Sequence, residues 1–241
     1  MPQEKHENQL ARWAKSGKEG TVPVPAATVI AVRDGREGLE TLMLRKNSKI
    51  AFGGMWVFPG GKVDDADLQG DEDLSGLETA RYAAAREAAE EAELDLSPSD
   101  LVPFSHWTPP PITPKRFLTW FFIAAAQEAN VVIDGGEIHE HDWKSPAAAL
   151  EQRDAGEIEL APPTWVSLFE LARWGSVEEA LTQVAARETE RFETRIFVSE
   201  KGPSALWHGD AGWPEGDGET PGPRHRLNMH KGKWVYERTR S

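Results

Sequence analysis

The chain has 241 residues, enough to bury a full core, so its length is as compatible with one elaborated domain as with two. A net charge of −13 disfavours a nucleic-acid surface, which needs clustered Lys and Arg; no apolar run of roughly 18 residues and no charged-then-apolar leader argues for a membrane span or a signal peptide. Zero cysteines exclude disulfides and thiolate metal sites, which fits a soluble cytoplasmic protein.

Residues 1–21 are polar, with a short helix expected around Gln9 to Lys15. Ala26 to Val32 and Glu40 to Leu44 read as strands about the turn Arg33-Asp34-Gly35-Arg36-Glu37-Gly38, a hairpin. Met55 to Phe58 reads as a short strand running into Pro59-Gly60-Gly61, where glycine lets the backbone approach a ligand closely. The next helix is expected from about Gly76 to Ala92, with Ser75 and Glu78 at capping-box spacing. Leu118 to Ala126 is an apolar, aromatic strand of the buried type, and Glu137 to Trp143 alternates as another. Helices follow over Pro146 to Ala155, Pro162 to Trp174 and Val177 to Glu190, the last with Ser176 and Glu179 as a second capping box. Arg195 to Ser199 and Lys233 to Arg238 read as strands on either side of the Gly/Pro-rich stretch Gly209 to Pro223, and no internal repeat is visible. Strands interleaved with helices imply an α/β protein with a mixed sheet between helices. The expected division is a polar segment over 1–21, a main domain over 22–175 and an extension over 176–241. That extension is expected to pack on the core, because sixty-odd residues with a long glycine-rich loop make a poor independent core.

The chemistry concentrates in Arg86-Glu87-Ala88-Ala89-Glu90-Glu91. On a helix Glu87, Glu90 and Glu91 fall on an arc of roughly 100°, so three carboxylates crowd one face and repel. An Ala/Glu/Arg-rich helix is as often a solvated face, and the hexapeptide alone leaves both readings open. The glycine turn upstream favours a site, because strand, turn and carboxylate helix together make a cradle for a metal-bound phosphate. Oxygen ligands without cysteine or an organised histidine set select Mg²⁺ or Mn²⁺ over zinc. Arg86, beside Glu87 and one turn before Glu90, can hold a carboxylate in place and keep it ionised.

These residues resemble the box of the Nudix hydrolases: Gly, five residues, Glu, seven residues, then Arg-Glu-apolar-x-Glu-Glu-x-Gly-apolar. Glu78 is followed by seven residues and Arg86, and Glu87, Ala88, Glu90, Glu91 and Leu94 occupy the remaining positions. Two departures stand out. Sixteen residues separate Gly61 from Glu78, an eleven-residue insertion, and the final glycine position holds Glu93. A left-handed residue there costs a glutamate about 1 kcal/mol, so the helix is expected to exit differently.

The run Phe58-Pro59-Gly60-Gly61-Lys62-Val63-Asp64-Asp65-Ala66-Asp67 resembles the FPGGxxDxxD element of the Nudix branch that cleaves coenzyme A, and its leader Leu44-Arg45-Lys46-Asn47-Ser48 through Trp56 is similar to that branch's approach. Within it the chain looks most like the subgroup with a long insertion inside the box. Further agreement comes from Pro25-Ala26-Ala27-Thr28-Val29, Thr113-Pro114-Lys115-Arg116-Phe117, Pro162-Pro163-Thr164-Trp165 and Arg224-His225-Arg226-Leu227. Where the subgroup has an Arg-Phe-Asp-Thr-Arg-like run, Leu118 and Trp120 replace the Asp and the second Arg.

The resemblance implies a Nudix α/β/α sandwich with a mixed sheet and a C-terminal extension. It implies a diphosphatase acting on a small nucleotide diphosphate, with coenzyme A or acyl-CoA the best guess and a broader ADP-ribose, dinucleotide or nucleotide-sugar pyrophosphatase, or a non-catalytic ligand-sensing module, as alternatives. Mg²⁺ or Mn²⁺ is expected at Glu87, Glu90, Glu91 and the Gly60 carbonyl. Arg86, Glu87 and Glu91 are expected in catalysis, with Glu87, Glu137 or Glu140 taking the water proton. Arg45, Phe58, Gly60, Gly61 and Arg116 are expected at the substrate. Family members are often dimers, so a homodimer is compatible with the resemblance; no nucleic-acid or membrane partner is expected. Glu78 is assigned a capping or supporting role. His139 and His141 lack further ligands for zinc, and Trp56 and Trp165 are read as packing residues. The insertion acids Asp64, Asp65, Asp67, Asp71, Glu72 and Asp73 are read as a solvated loop, with Asp64 and Asp67 given weight by the coenzyme A element.

Overall fold

The β1 strand, Val24–Gly35, is apolar on both faces, as a strand buried between two layers must be. Ala27, Val29 and Ala31 join one buried cluster while Ile30 and Val32 join another, so the alternation of the pleat divides the core in two. The computed structural model describes residues 2–16, 20–47, 53–70, 73–126, 131–133, 136–230 and 232–239, with the backbone alone for 2–8.

The large sheet is mixed. β1 pairs antiparallel with β2, Gly38–Lys46, through the two-residue turn Arg36-Glu37, and Gly38 takes φ +122°, a conformation only glycine adopts freely. β3, Trp56–Val57, pairs with the far end of β2, and β4, Gly60–Lys62, pairs with the near end of β1. The segment from Trp56 to Lys62 therefore fills the fork where β1 and β2 diverge. β5, Val102–Thr108, lies antiparallel to β6, Phe117–Ala125, which runs parallel to β1; β7, Ile138–Lys144, lies against β2.

One face of the sheet carries the helix α2, Leu77–Ala92. Its inner stripe is Ala80, Ala83, Ala84, Ala88 and Ala92, all fully buried, and such small side chains let the helix axis lie close to the sheet. The other face is covered by α3, Pro146–Asp154, α4, Pro162–Leu171, and α5, Val177–Ala185, whose Trp165, Leu168, Leu171, Ala180 and Val184 pack on Ile30, Met43, Phe121 and Ile123. The result is the expected α/β/α sandwich. Trp56 and Trp165 are both buried, as packing residues.

The C-terminal strands attach to this body at β8, Glu190–Glu193, which pairs parallel with β5. Phe192 stacks on Trp107 at 3.9 Å, and Trp207 meets Trp107 edge-on at 5.6 Å. A second, four-stranded antiparallel sheet follows, made of β9, Arg195–Ser199, β10, Gly202–Leu206, β11, His225–Asn228, and β12, Val235–Arg238. It is pinned by a buried, two-pronged pair of Arg226 with Asp210, both contacts 2.7 Å. The first helix, α1, spans Pro2–Ser16, longer than the sequence pattern suggests, and Leu10 reaches the core. Among the described residues no helix is long and apolar enough to cross a membrane.

Several sequence expectations are corrected. β5, β8, β10 and β11 were not legible as strands, and α5 stops at Ala185 rather than Glu190. At the start of α2 the N-cap is Gly76 with no side-chain cap: the Ser75 hydroxyl donates to Asp73 and Glu78 pairs with Arg81 at 3.1 Å, so no capping box forms. At its end Glu93 does take the left-handed conformation, φ +51° and ψ +31°. The reason lies one residue on: Leu94 folds back to donate to the Ala88 carbonyl and buries its side chain against the α2 face of the sheet. Relieving that left-handed glutamate by Glu93→Gly is expected to raise stability by about 1 kcal/mol in urea denaturation; an unchanged or lowered midpoint would contradict the assignment of strain.

Candidate active site

The alanine stripe that seats α2 on the sheet turns Glu87 and Glu91 towards the fork filled by β3 and β4. Glu91 is 4% exposed. One of its oxygens meets the Lys46 ammonium and the other accepts the Gly60 N–H at 2.9 Å. Lys46 Nζ also lies 3.5 Å from the Gly60 carbonyl and 3.8 Å from Glu137. Burial pushes the Glu91 carboxyl above its ordinary range, against the lowering pull of Lys46 and the Gly60 N–H, and nearby Glu137 adds to the rise.

Glu87 is also raised, first by burial, with Arg86 opposing and Glu91 and Glu90 adding repulsion. Glu90 is exposed and reaches Arg86 at 3.1 Å, the turn-to-turn pairing that helical spacing allows. Glu91 is buried and Glu87 partly buried, each beside a cation, and loss of water is what raises both. Carboxylate and carbonyl oxygens are the donors a hard divalent cation takes, so the residues present fit Mg²⁺ or Mn²⁺. Among the described residues no three acidic or histidine side chains already converge as a ligand set, because Lys46 and Arg86 hold these oxygens in this arrangement.

Arg86 is the hub. Its Nε and Nη2 donate to the two oxygens of Asp67 at 2.9 and 3.0 Å, Nη2 donates to the Lys62 carbonyl at 3.0 Å, and Nη1 reaches Glu87 at 3.0 Å and Glu90 at 3.1 Å. Asp67 is 3% exposed and closes a short 3₁₀ turn by accepting the Asp64 N–H at 2.8 Å. Burial would raise the Asp67 carboxyl, but the Arg86 hydrogen bonds and the Asp64 N–H hold it below its ordinary range; the pair in turn raises Arg86. The solvated-loop reading therefore fails for Asp67. In sequence the FPGGxxDxxD run set Asp67 apart from Asp65 but gave the exposed Asp64 the same weight, while Asp71 and Glu72 lie outside the described residues, as does Ser48 of the leader.

The remaining expected residues divide. Gly60 and Gly61 are at the centre, yet the close approach they permit is to the protein itself. A Cβ on Gly60 would stand 2.5 Å from the Ala27 carbonyl, and one on Gly61 would overlap the Glu87 carboxylate. Phe58 is buried edge-on to Phe121 at 6.4 Å, so its side chain is core and seats Pro59-Gly60 instead of facing substrate. Glu140 pairs with Arg45 at 3.2 Å, across the β2–β7 register, while Glu137 is the acid beside Lys46. Arg116 donates to the Pro109 carbonyl at 3.0 Å and to Thr21 at 3.5 Å, and lines a cavity of about 320 Å³ between residues 108–112 and 193–196. Trp120 donates from its indole to the Ser75 carbonyl at 3.2 Å and packs on His106 at 4.3 Å, tying the end of the insertion to the sheet.

A family model described as the NUDIX domain matches residues 22–164, more than half of the chain and the whole of this site. The chain belongs to the NUDIX domain family. Among solved structures, a NUDIX hydrolase from Alicyclobacillus acidocaldarius is similar at 22% identity and a TM-score of 0.61, over 70% of this chain and 99% of that one. The NUDIX domain of Shewanella oneidensis NrtR, solved with ADP ribose, is 17% identical with a TM-score of 0.48, over 68% and 96%. A Caenorhabditis elegans Ap4A hydrolase, solved as a binary complex, is 21% identical with a TM-score of 0.42, over 62% and 96%. A comparison with curated proteins gives no match. Membership of the NUDIX family makes the chain a diphosphatase-type hydrolase of nucleoside diphosphate derivatives.

The two glycines of this NUDIX site separate fold from chemistry. Gly60→Ala drives a methyl into the β1 backbone and is expected to lose about 1–3 kcal/mol of stability in thermal or urea denaturation. Gly61→Ala meets only the movable end of Glu87, so it should keep its denaturation midpoint near the parent's while metal-dependent turnover falls at least about tenfold. Equal effects of the two changes on both readouts would contradict this geometry.

Proposed function

We propose that this NUDIX hydrolase cleaves coenzyme A or acyl-CoA at the diphosphate link, giving 3',5'-ADP and phosphopantetheine or its acyl form, with Mg²⁺, or Mn²⁺ in its place, as cofactor. The chemistry rests on one observation: the buried Glu91 is fixed by the Gly60 N–H at the mouth of the β-fork, with Glu87 and Glu90 on the same helix face. The substrate class rests on the run from Phe58 to Asp67 and on the long insertion within the box, which resemble the coenzyme A branch.

Glu87, Glu90, Glu91 and the Gly60 carbonyl would hold the cation. When bound, it supplies neutralisation of the diphosphate charge and a lowered pKa for attacking water. Arg86 orients Glu87 and Glu90 through one nitrogen, Nη1. Glu87, held by Arg86 Nη1 on the metal-holding face, is the proposed acceptor of the water proton, with Glu137 beside Lys46 and Glu140 beside Arg45 as the alternatives. Arg45, exposed on β2 beside Lys46, and Arg116 are the cations proposed for the substrate's phosphates; in a chain of net charge −13 such local positive charge is needed.

Chromatographic product analysis with Mg²⁺ against coenzyme A, acyl-CoA, ADP-ribose, NADH and nucleotide sugars tests the reading, with Glu91→Gln as the blank. Selective release of 3',5'-ADP by the parent, abolished in folded Glu91→Gln, is the expected result. Cleavage of the other compounds in preference to coenzyme A rejects the substrate, and near-normal turnover by folded Glu91→Gln rejects the site.

A further inference from the structure

We infer that the cavity between the β5–β6 loop and the C-terminal sheet is a pocket for a second anionic group of the substrate, a terminal phosphate, held by Arg116 and Arg195. This deepens, and rests on, the coenzyme A reading, whose substrate carries such a group as the 3'-phosphate of its ribose.

The pocket of about 320 Å³ has two walls of different origin. One is the loop that begins Pro109-Pro110-Pro111, where three prolines have a fixed φ and no N–H to donate. Its carbonyls are already used: Pro109 accepts Arg116 Nη2 at 3.0 Å, Pro110 accepts the Thr113 hydroxyl at 2.9 Å, and Pro111 accepts the Gly20 N–H. The other wall is the start of β9 with the turn at Gly216, and it lies outside the residues that the NUDIX model matches. A rigid loop of the catalytic domain and the C-terminal extension thus close on one cavity.

Both cations are poised for an anion. Arg116 Nε is enclosed and meets no acceptor, a state whose cost an anion in the cavity removes. Arg195 holds its guanidinium over the Trp213 ring, 5.2 Å from the centroid, and Trp213 is fixed in turn by donating its indole N–H to the Glu193 carbonyl at 2.7 Å. Among the described residues neither arginine has a carboxylate at ion-pair distance. The two acids of the lining, Glu193 and Glu215, are exposed, where water and salt screen them, while both arginines are half-buried.

Position separates this group from the one at the metal face. Gly60 pairs with Thr28 and Phe117 with Val24, both on β1 and four residues apart. Strand geometry makes that about 13 Å along β1 and about 10 Å across two strand spacings, or about 16 Å in all. One phosphate cannot occupy both places. The Arg116 side chain and a metal-bridging phosphate can take up most of that span, and a ribose bridges the remainder.

The experiment compares coenzyme A with dephospho-coenzyme A, which lacks only the 3'-phosphate, by steady-state kinetics on the full chain with Mg²⁺. In parallel, calorimetry measures binding of 3',5'-ADP and of 5'-AMP, which differ in the same group, without turnover. The variants are Arg116→Gln, Arg195→Gln and, as a control for net charge, the exposed Arg173→Gln. The parent is expected to favour coenzyme A over dephospho-coenzyme A by at least about tenfold in kcat/KM, the worth of a charge-assisted hydrogen bond, and 3',5'-ADP over AMP to the same degree. Each pocket variant should lose most of both preferences, through a raised KM for coenzyme A with kcat retained, and Arg173→Gln should keep them.

Equal kcat/KM of the parent on the two coenzymes, or parent-like preferences in folded Arg116→Gln and Arg195→Gln, overturns the inference and leaves the coenzyme A reading standing. No cleavage of either coenzyme, with 3',5'-ADP still bound more tightly than AMP and that margin lost in Arg195→Gln, supports the pocket and rejects the proposed substrate. No cleavage and no margin rejects both. If neither variant folds, phenylglyoxal labelling of the parent decides. Protection of Arg116 and Arg195 by 3',5'-ADP beyond that given by AMP supports the pocket, and equal protection overturns it.

Discussion

Of three glutamates within five residues of one helix, two, Glu87 and Glu90, are held by a single planar cation that has a further carboxylate, Asp67, on its other edge, while Lys46 holds the third. Arg86 faces Asp67 with one edge and Glu87 and Glu90 with the other, while its backbone belongs to the helix that must lie against the sheet. That arrangement joins three segments distant in sequence or in the fold: the β4 turn through the Lys62 carbonyl, the insertion through Asp67, and α2 itself. Remove the charge balance and like carboxylates at helical spacing would oppose the helix that carries them.

The second constraint is burial. Glu91 and Lys46 are both nearly enclosed, and a buried ion pair gains little net stability from its own attraction because both partners give up water. Breaking such a pair from one side is a different matter, costing about 3–5 kcal/mol, since the remaining charge is left uncompensated. The Lys46–Glu91 contact is best understood as a way of keeping a buried carboxylate ionised beside the Gly60 backbone. Lys46 holds the same oxygens, on Glu91 and Gly60, that are proposed for a cation. Fold and site meet in the glycine pair: Gly60 is required by the β1 backbone and Gly61 by the Glu87 carboxylate.

The parts legible in sequence were those governed by local chemistry. The apolar runs of β1 and β6 and the turn between β1 and β2 declared their elements, α2 was placed correctly from a capping-box spacing that does not form a capping box, and the Arg86-to-Glu91 run declared the site. The parts that were not legible depend on partners far along the chain. β5 contains Pro103, with a register shift beside it, and mixes polar with aromatic residues; it is a strand because β6 and β8 pair with it. β8 reads Glu-Arg-Phe-Glu, and only Phe192, stacked on Trp107, gives it a buried face. β10 begins Gly-Pro and looks like loop until β9 and β11 flank it. Asp67 shared with Asp64 the weight that the FPGGxxDxxD run gives, and only the fold, by burying it against Arg86 nineteen positions on, separates the two. Glu93 defied the expectation of a different helix exit because the burial of Leu94 outweighs a left-handed penalty of about 1 kcal/mol.

The most direct test of this account is crystallographic: crystals of the full chain soaked with Mn²⁺, with anomalous scattering used to locate the ion. The account requires Mn²⁺ among Glu87, Glu90, Glu91 and the Gly60 carbonyl, with Lys46 moved off Glu91 and Arg86 still forked on Asp67. An ion bound elsewhere, for example at His139 and His141, with Lys46 still on Glu91, would contradict it.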